Sequence, residues 1–476
     1  MENKLFNLIE DVVDPGYCIG CGVCKTVASE KISLKLDQDG FYTPQLSELL
    51  NVQENEIASK ICPFSNYADN ETDIGRRLFG GMNEFDDKLG YINSCNAIRV
   101  QEGEFRNNGT SSGFTSWILC ELLKRNLVDA VIHVGDSVAE ESNQSAYFKY
   151  KISTTTDEVM SKSKTRYYPV EVGSVLSSLQ NDNRRFAIVG LPCFIKSIQL
   201  LRKTSFEWEN RIRFTVSIFC GHLKSSLFTE NLLLAMKVDS RKIETLDYRR
   251  KLEGNPANVY IMGVKVKGGW IDRDMSEVPG SDWGSGAFKY YACNFCDDVV
   301  GETSDVSVGD AWLPQYKSDG GGTNNVIARN HVINQIIEEG KCSNKLWVES
   351  LTVEDVHKST RGGFEDRRPG TAYRVSLERE AGFNPPTKRV YKFDKTDKQR
   401  LEVFAFKMLI GMISVSLYQS CRRLRSEYAF RKIIRILTIC YRKRWPGIFF
   451  KVGFFSYITK NEVKRRKQNN NKRSDL

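Results

Sequence analysis

Three cysteines spaced by three, Cys18-Ile19-Gly20-Cys21-Gly22-Val23-Cys24, constrain this chain more than any other feature. Thiolates at that spacing fit a tight loop wrapped around a cubane cluster. Gly20 and Gly22 relieve backbone strain and let amide N–H groups approach the sulfides. Cys62, followed by Pro63, lies 38 residues beyond Cys24 and matches the remote Cys-Pro ligand of ferredoxin-type sites. Zinc also takes four thiolates, more often from two separated C-x2-C knuckles. The triple run with Cys-Pro predicts a [4Fe–4S] cluster on Cys18, Cys21, Cys24 and Cys62. Ala28 stands where a two-cluster ferredoxin would carry another cysteine, and no second triple run precedes Cys62. The expected module is a small ferredoxin-like domain over residues 1–75 with one cluster lost. Asp37-Gln38-Asp39-Gly40 before Phe41-Tyr42-Thr43-Pro44 fits the hairpin between its halves.

Composition narrows the rest. With 41% hydrophobic and 27% charged residues, the chain reads as globular, and 476 residues suffice for two to four domains. Only four histidines accompany 13 cysteines, which argues against a His-rich metalloenzyme. Residues Met1 to Glu10 carry no apolar run of signal-peptide length, so a cytoplasmic protein is expected. In a reducing compartment clustered cysteines read as metal ligands or catalysts, not as disulfides. The net charge of +10 is unevenly placed. Residues 401–476 hold 18 Lys and Arg against 4 Asp and Glu, leaving 51 basic and 55 acidic residues in the remainder. A mildly acidic body argues against nucleic acid as partner.

A second cysteine group lies in the body. Phe186-Ala187-Ile188-Val189 reads as a buried strand and runs into Gly190-Leu191-Pro192-Cys193; Phe214 to Ile218 reads likewise and runs into Phe219-Cys220-Gly221. Both cysteines would sit at carboxyl ends of strands, where α/β sheets place their chemistry. Cys293-Asn294-Phe295-Cys296 could close a four-thiolate site with them, although Cys193 and Cys220 taken singly are more often core residues. Cys95, Cys120, Cys342, Cys421 and Cys440 show no partner pattern.

Asn96 to Val100 reads as a strand, Phe114 to Lys124 as a helix and Leu127 to Val134 as a strand. The turn Asn108-Gly109-Thr110-Ser111-Ser112-Gly113 before that helix supplies free N–H groups, Ser or Thr caps and the positive dipole end. It suits a phosphate or a flavin edge, or is simply a well-capped helix. Further elements are expected as helix 194–203, strand 212–219, helix 226–237, strands at Tyr248 to Lys251 and Val259 to Lys267, and a strand ending in Gly309-Asp310-Ala311-Trp312. No Walker A, G-x-S-x-G or complete G-x-G-x-x-G appears, which argues against a P-loop ATPase or an α/β-hydrolase.

Taken in order, these motifs resemble the family of coenzyme F420 hydrogenase/dehydrogenase beta subunits. The matching segments are Gly109 to Gly113 with Leu127 to Ile132, Gly190 to Cys193, Phe219-Cys220, Tyr248-Arg249-Arg250-Lys251, Cys293-x2-Cys296-Asp297, Asp305 to Trp312 and Asn325 to Arg329. They span roughly residues 80–345, with the ferredoxin module as a fusion. The resemblance implies a mixed-sheet α/β, FAD-binding body in two parts, 76–175 and 176–350, followed by a linker or extension at 351–400. It implies a second [4Fe–4S] cluster on Cys193, Cys220, Cys293 and Cys296. It implies cofactor contacts from Gly109, Thr110, Ser111, Ser112, Gly113, Arg249 and Lys251, with the segment Lys162 to Tyr167 near the flavin. Asp310 and Lys164 are the expected catalytic groups, binding or polarising a small-molecule substrate. One departure stands out: Phe114 replaces the second glycine of the family's pair.

Clusters pass one electron at a time and hydride carriers exchange two; a flavin joins the two regimes. The chain is therefore expected to be an oxidoreductase working with a ferredoxin-like partner or a partner redox subunit. Its rival is a non-catalytic electron-relay subunit. The tail, 401–476, interleaves apolar residues with arginines, and its longest uncharged run, Met408 to Cys421, has 14 residues, short of a bilayer span. A basic amphipathic helical tail of this kind suits an anionic membrane surface, on the inner face, or docking on the body or a partner.

Overall fold

The computed structural model describes residues 6–81, 84–137, 146–389 and 392–443. The aromatic stretch at Trp445, the basic run at Lys464 and the terminal residues from Gln468 lie outside them. Strands β1 (Ile32–Leu36) and β2 (Tyr42–Leu46) form the expected hairpin, with Leu36 opposite Tyr42. A short hairpin of β3 (Glu84–Asp86) and β4 (Gly90–Ile92) follows. The main sheet takes β5 (Ser94–Val100), β6 (Ala130–Asp136), β7 (Phe148–Ser153), β8 (Phe186–Gly190) and β9 (Ile212–Ile218). The chain then makes a separate three-stranded sheet of β10 (Ile243–Asp247), β11 (Ile261–Val266) and β12 (Gly269–Asp274). It returns as β13 (Val306–Asp310), β14 (Asn324–Ala328) and β15 (Leu346–Ser350).

The eight strands lie in the order β15-β5-β14-β13-β9-β8-β6-β7. Neighbours among β13, β9, β8 and β6 are parallel, and the pairs outside that block are antiparallel. This is a mixed α/β architecture with a large mixed sheet. Strand β8 is buried along its whole length, as a parallel central strand must be, which is why its sequence is an unbroken apolar run. Alternation assigns the faces. Ala130, Ile132, Phe186 and Ile188 join the core shared with the N-terminal segment and the C-terminal helices, whereas Val131, Ala187 and Val189 pack on Trp117 and Ile337 of the other face. The carboxyl ends of the four parallel strands open on one edge.

Local chemistry explains where elements start and stop. The helix Phe114–Lys124 and strand β8 fall on the expected residues. The helix expected at 194–203 begins earlier, at Pro192, because a proline at the first turn gives up no hydrogen bond. Tyr248-Arg249 is a turn and not a strand, because the Asp247 carboxylate accepts the Arg249 backbone N–H at 3.0 Å.

Residues 351–400 carry two helices, Val353–Arg367 and Pro369–Glu380. The tail begins with helices Lys398–Arg423 and Glu427–Arg442. The first of these is long and apolar enough to cross a membrane by length and composition, but 56% of its most apolar window is buried inside the protein. Its Ser414 hydroxyl accepts the Phe288 N–H at 2.7 Å, and its Gln419 amide reaches Asp39 at the tip of the β1–β2 hairpin at 2.7 Å. That tip is itself seated on the body. Ser226 N–H donates to the Gly40 carbonyl at 2.9 Å, and a side chain at Gly40 would collide with Ser226 Oγ at 2.3 Å.

Candidate functional site

The first cysteine group lies in a tight glycine-containing loop. Gly20 and Gly22 take left-handed backbone angles, φ 69° and 79°, and a Cβ on Gly20 would lie 2.5 Å from the Tyr42 carbonyl. Cys62 ends the helix Val52–Ile61 and closes on the same loop. Burial pushes the Cys18 thiol well up, and proximity to Cys21 and Cys62 adds to it. Cys24 is raised likewise by burial and by Cys21, Cys18 and Cys62, and burial pushes Cys62 up to about 12. The four thiols thus lie within electrostatic reach of one another in one buried space.

The second group converges from four places. Cys193 follows β8, Cys220 follows β9, and Cys293 and Cys296 sit on and just after the short turn Tyr291–Phe295. All four line one small cavity with Leu191, Leu223 and Arg367. Burial raises Cys193 far above the usual thiol range, with Cys296, Cys220 and Cys293 next in effect, and burial pushes Cys296 up to about 11. Among the described residues no three His, Cys, Asp or Glu side chains converge as ligands of one metal ion do. A cubane, with one thiolate on each of four irons, spreads its ligands wider than a single zinc. The donor sets fit the cluster in kind, eight free cysteines in two groups of four. The groups are also close to each other: the Cys21 thiol lies 4.0 Å from the hydroxyl of Ser197, one helical turn after Cys193.

Beside the second group, at the carboxyl ends of the parallel strands, lies a cavity of about 610 Å³, within the range of cofactor sites. Leu191, Cys220 and Leu223 line both it and the thiol cavity. Gly109, Thr110, Ser111 and Gly113 border it, with Thr115 and Ser116 from the first turn of the helix. The cap of that helix is Gly113 itself, at φ 85° without a side-chain cap, rather than a Ser or Thr. Ser112 turns inward instead, where its hydroxyl donates to Asn324 at 2.6 Å. Phe114 is fully buried and stacks towards Trp117 at 5.9 Å, so its ring points into the core and not at the cavity.

The charged expectations are all engaged. Arg249 donates to Asp310 at 2.7 Å and lies 4.2 Å from the ring centre of Tyr260, and all three line the cavity. Lys164, also on the cavity wall, pairs with Asp247 at 2.8 Å. Lys251 is not among the lining residues. Its ammonium ties together the carbonyls of Arg106, Ser111 (2.6 Å) and Gly321 (3.0 Å), and burial beside Lys164 and Arg106 lowers it to about 7. It holds the glycine turn in place from behind.

Sequence reasoning missed the far wall. Trp283 stacks on His222 at 4.5 Å and meets Tyr167 at a tilt, 4.6 Å between ring centres, and Lys224 lies 4.8 Å from the Trp283 ring centre. Burial lowers Lys224 to about 7. The signal available was local: Gly221-His222 directly follows Cys220, and any side chain at Gly221 would strike Trp283 Nε1 at 2.4 Å. Arg367 was missed altogether.

Comparison with known proteins gives this geometry a family. Coenzyme F420 hydrogenase/dehydrogenase, beta subunit, matches in its N-terminal part at residues 96–177 and in its C-terminal part at residues 183–354. The chain is similar to the coenzyme F420-dependent sulfite reductase of Methanocaldococcus jannaschii, 21% identical over 315 residues, covering 63% of this chain and 43% of that protein. It spans less than half the length of that relative. It is also similar to the F subunit of the F(420)H(2) dehydrogenase of Methanosarcina mazei, 22% identical over 338 residues, covering 68% of this chain and 82% of that one. A chain of the F420-reducing [NiFe] hydrogenase complex from Methanosarcina barkeri aligns with a TM-score of 0.49 at 15% identity, over 64% of this chain and 98% of the other. The two family segments follow one another across more than half of the sequence, and the chain belongs to the family of coenzyme F420 hydrogenase/dehydrogenase beta subunits.

Proposed function

We propose that this chain is an iron–sulfur flavoprotein oxidoreductase that moves electrons between a one-electron redox partner and a two-electron small molecule. The observation that carries the reading is the shared wall: Leu191, Cys220 and Leu223 border both the second thiol group and the cofactor-sized cavity. FAD, when bound, supplies the exchange between one- and two-electron chemistry. The chain's own residues do the rest. The first-turn N–H groups of helix Phe114–Lys124 meet an anionic group at the glycine turn. Lys164 and the Arg249–Asp310 pair orient a polar substrate, and Trp283, Tyr167 and Tyr260 exclude water. In this reading Cys18, Cys21, Cys24 and Cys62 hold one [4Fe–4S] cluster, in a ferredoxin-like module, and Cys193, Cys220, Cys293 and Cys296 a second. Coenzyme F420, named in the descriptions of its relatives, is the first substrate to test.

A second reading is a relay subunit within a larger redox assembly, whose catalysis lies in a partner. It is favoured by the relatives: one is named a subunit, and this chain spans only 43% of another. A further part of the proposal concerns location. Helix Glu427–Arg442 leaves Ile433, Ile436 and Ile439 exposed among Arg431, Lys432, Arg435 and Arg442, a composition suited to an anionic membrane surface on the cytoplasmic side.

The test is the anaerobically purified protein with iron, sulfide and flavin quantified. About eight irons per chain with one flavin is expected. Eight irons without flavin after reconstitution would refute the catalytic reading and leave the relay. Cys21→Ser should remove one reduced-cluster EPR signal and spare the other; unaltered spectra would mean that the first group is misread.

A further inference from the structure

We propose that the C-terminal extension of this chain is an electrostatic cap that raises the reduction potential of the second thiol site, with Arg367 as its positioning residue. The inference rests on reading Cys193, Cys220, Cys293 and Cys296 as a cluster site. The family match ends at residue 354, and Arg367 closes the helix that follows, Val353–Arg367. Its side chain is 2% exposed and donates to the carbonyls of Cys293 at 3.0 Å, Cys296 at 3.3 Å and Gly221. Those bonds fix the guanidinium against the backbone that carries the thiols, but carbonyls do not cancel its charge.

Asp366 is shared with Arg374 at 3.2 Å and Lys407 at 3.3 Å, both also from the extension. Lys289, 3% exposed and within electrostatic reach of Cys293, has no hydrogen-bond partner for its Nζ among the described residues, and burial beside Arg374 pushes its ammonium well below the usual range, so that only an anion at the thiols keeps it charged. Lys388 acts on Cys296 from the same extension. Asp298 lines the same cavity and Asp297 pairs with Arg389 at 3.2 Å, so carboxylates are present too, but Arg367 is the charge that acts most on Cys220 and Cys296 and favours an anion there. A cubane on four thiolates is such an anion, and reduction adds one more negative charge, which buried positive charge favours. Lys388 also acts on Cys62 of the first group, and the Glu171 carboxylate acts on Cys21, but Arg367 acts on the second group.

The test is an EPR-monitored redox titration of the full-length protein and its R367Q, R367K and K289M variants. In R367Q one centre should be harder to reduce, its reduced-to-oxidised ratio at the wild-type midpoint falling about tenfold, or 59 mV for one electron. The other centre should not move, and R367K should shift less than threefold because the charge is kept. K289M removes an ammonium that donates no hydrogen bond and that the cluster's own negative charge keeps protonated, so it decides the matter if R367Q does not fold, and the same centre should fall. Two clusters whose midpoints stay put, or move together, in both variants overturn this inference and leave the site reading standing. A wild-type protein with only four irons overturns both.

Discussion

The Arg249–Asp310 pair offers the sharpest test of the cavity. The two charges meet at 2.7 Å on a wall where the Arg249 side chain is 9% exposed and that of Asp310 18%. At charge-centre separations near 4 Å and an effective dielectric near 20, their attraction is about 4 kcal/mol, most of it offset by desolvation. Arg249→Met strands the carboxylate. Breaking a fully buried pair costs about 3–5 kcal/mol, and the residual exposure of Asp310 reduces this to about 2–3. Loss of the contact with Tyr260 adds about 0.5–1 kcal/mol. Asp310→Asn keeps a hydrogen-bond acceptor for the guanidinium and should cost about 1–2 kcal/mol. The double variant removes both stranded charges and should cost about 1–2 kcal/mol less than the sum of the singles. Urea unfolding of all four proteins measures this, with flavin content read in parallel and expected to fall in every variant. Additive singles, or an Arg249→Met cost below about 0.5 kcal/mol, would refute the argument that the pair is a coupled element of the wall.

Gly113→Ala places a Cβ 2.3 Å from the Phe105 carbonyl at φ 85°. The left-handed backbone alone costs about 1–2 kcal/mol, so the thermal midpoint should drop and flavin retention after reconstitution should fall more than tenfold. His133 is buried against Ser153, and burial with Lys162 and Arg166 lowers its imidazole to about 4. Because its folded value lies below the unfolded one, its contribution is full above about pH 6.5 and is lost as pH falls towards 4. That is about 3 kcal/mol at most, and His133→Gln should flatten the stability-versus-pH curve over that window. Ile436→Glu combined with Ile439→Glu, both exposed, should leave stability within about 0.5 kcal/mol yet abolish co-sedimentation with phosphatidylglycerol vesicles at low salt; undiminished binding would place the membrane contact elsewhere.

What could be read from the sequence follows from what is local. Strand β8 and helix Phe114–Lys124 were legible because an unbroken apolar run and a 3.6-residue pattern each have one structural solution. The convergence of Cys193 with Cys220 was legible because both end parallel strands of one sheet. The inward turn of the Ser112 hydroxyl was not legible because its partner, Asn324, is 212 residues away. Lys251 shows the same limit: a motif lysine looks like a ligand contact until the three carbonyls that occupy it are seen. Arg367 left no trace in its own neighbourhood, since its acceptors are some seventy residues or more upstream. For the first tail helix, periodicity announced a buried face without saying against what; Ser414 on Phe288 supplies the answer.

The helix Pro192–Thr204 sets a length as well as a site. It carries Cys193 near its first turn and Ser197 one turn on, and Ser197 both donates to the Ile61 carbonyl at 2.7 Å and accepts from the Cys21 thiol. The spacing between the two sulfur groups is therefore ruled off by a single turn of a rigid rod, about 5.4 Å of rise. In the proposed reading, tunnelling between the two sites decays exponentially with distance, so a rod is a better ruler than a loop. It also makes this stretch intolerant of length change: one residue inserted between 193 and 197 would rotate the far end by roughly 100° and detach the N-terminal sulfur loop from its mount, whereas lengthening the surface loops around it would leave the gap unaltered.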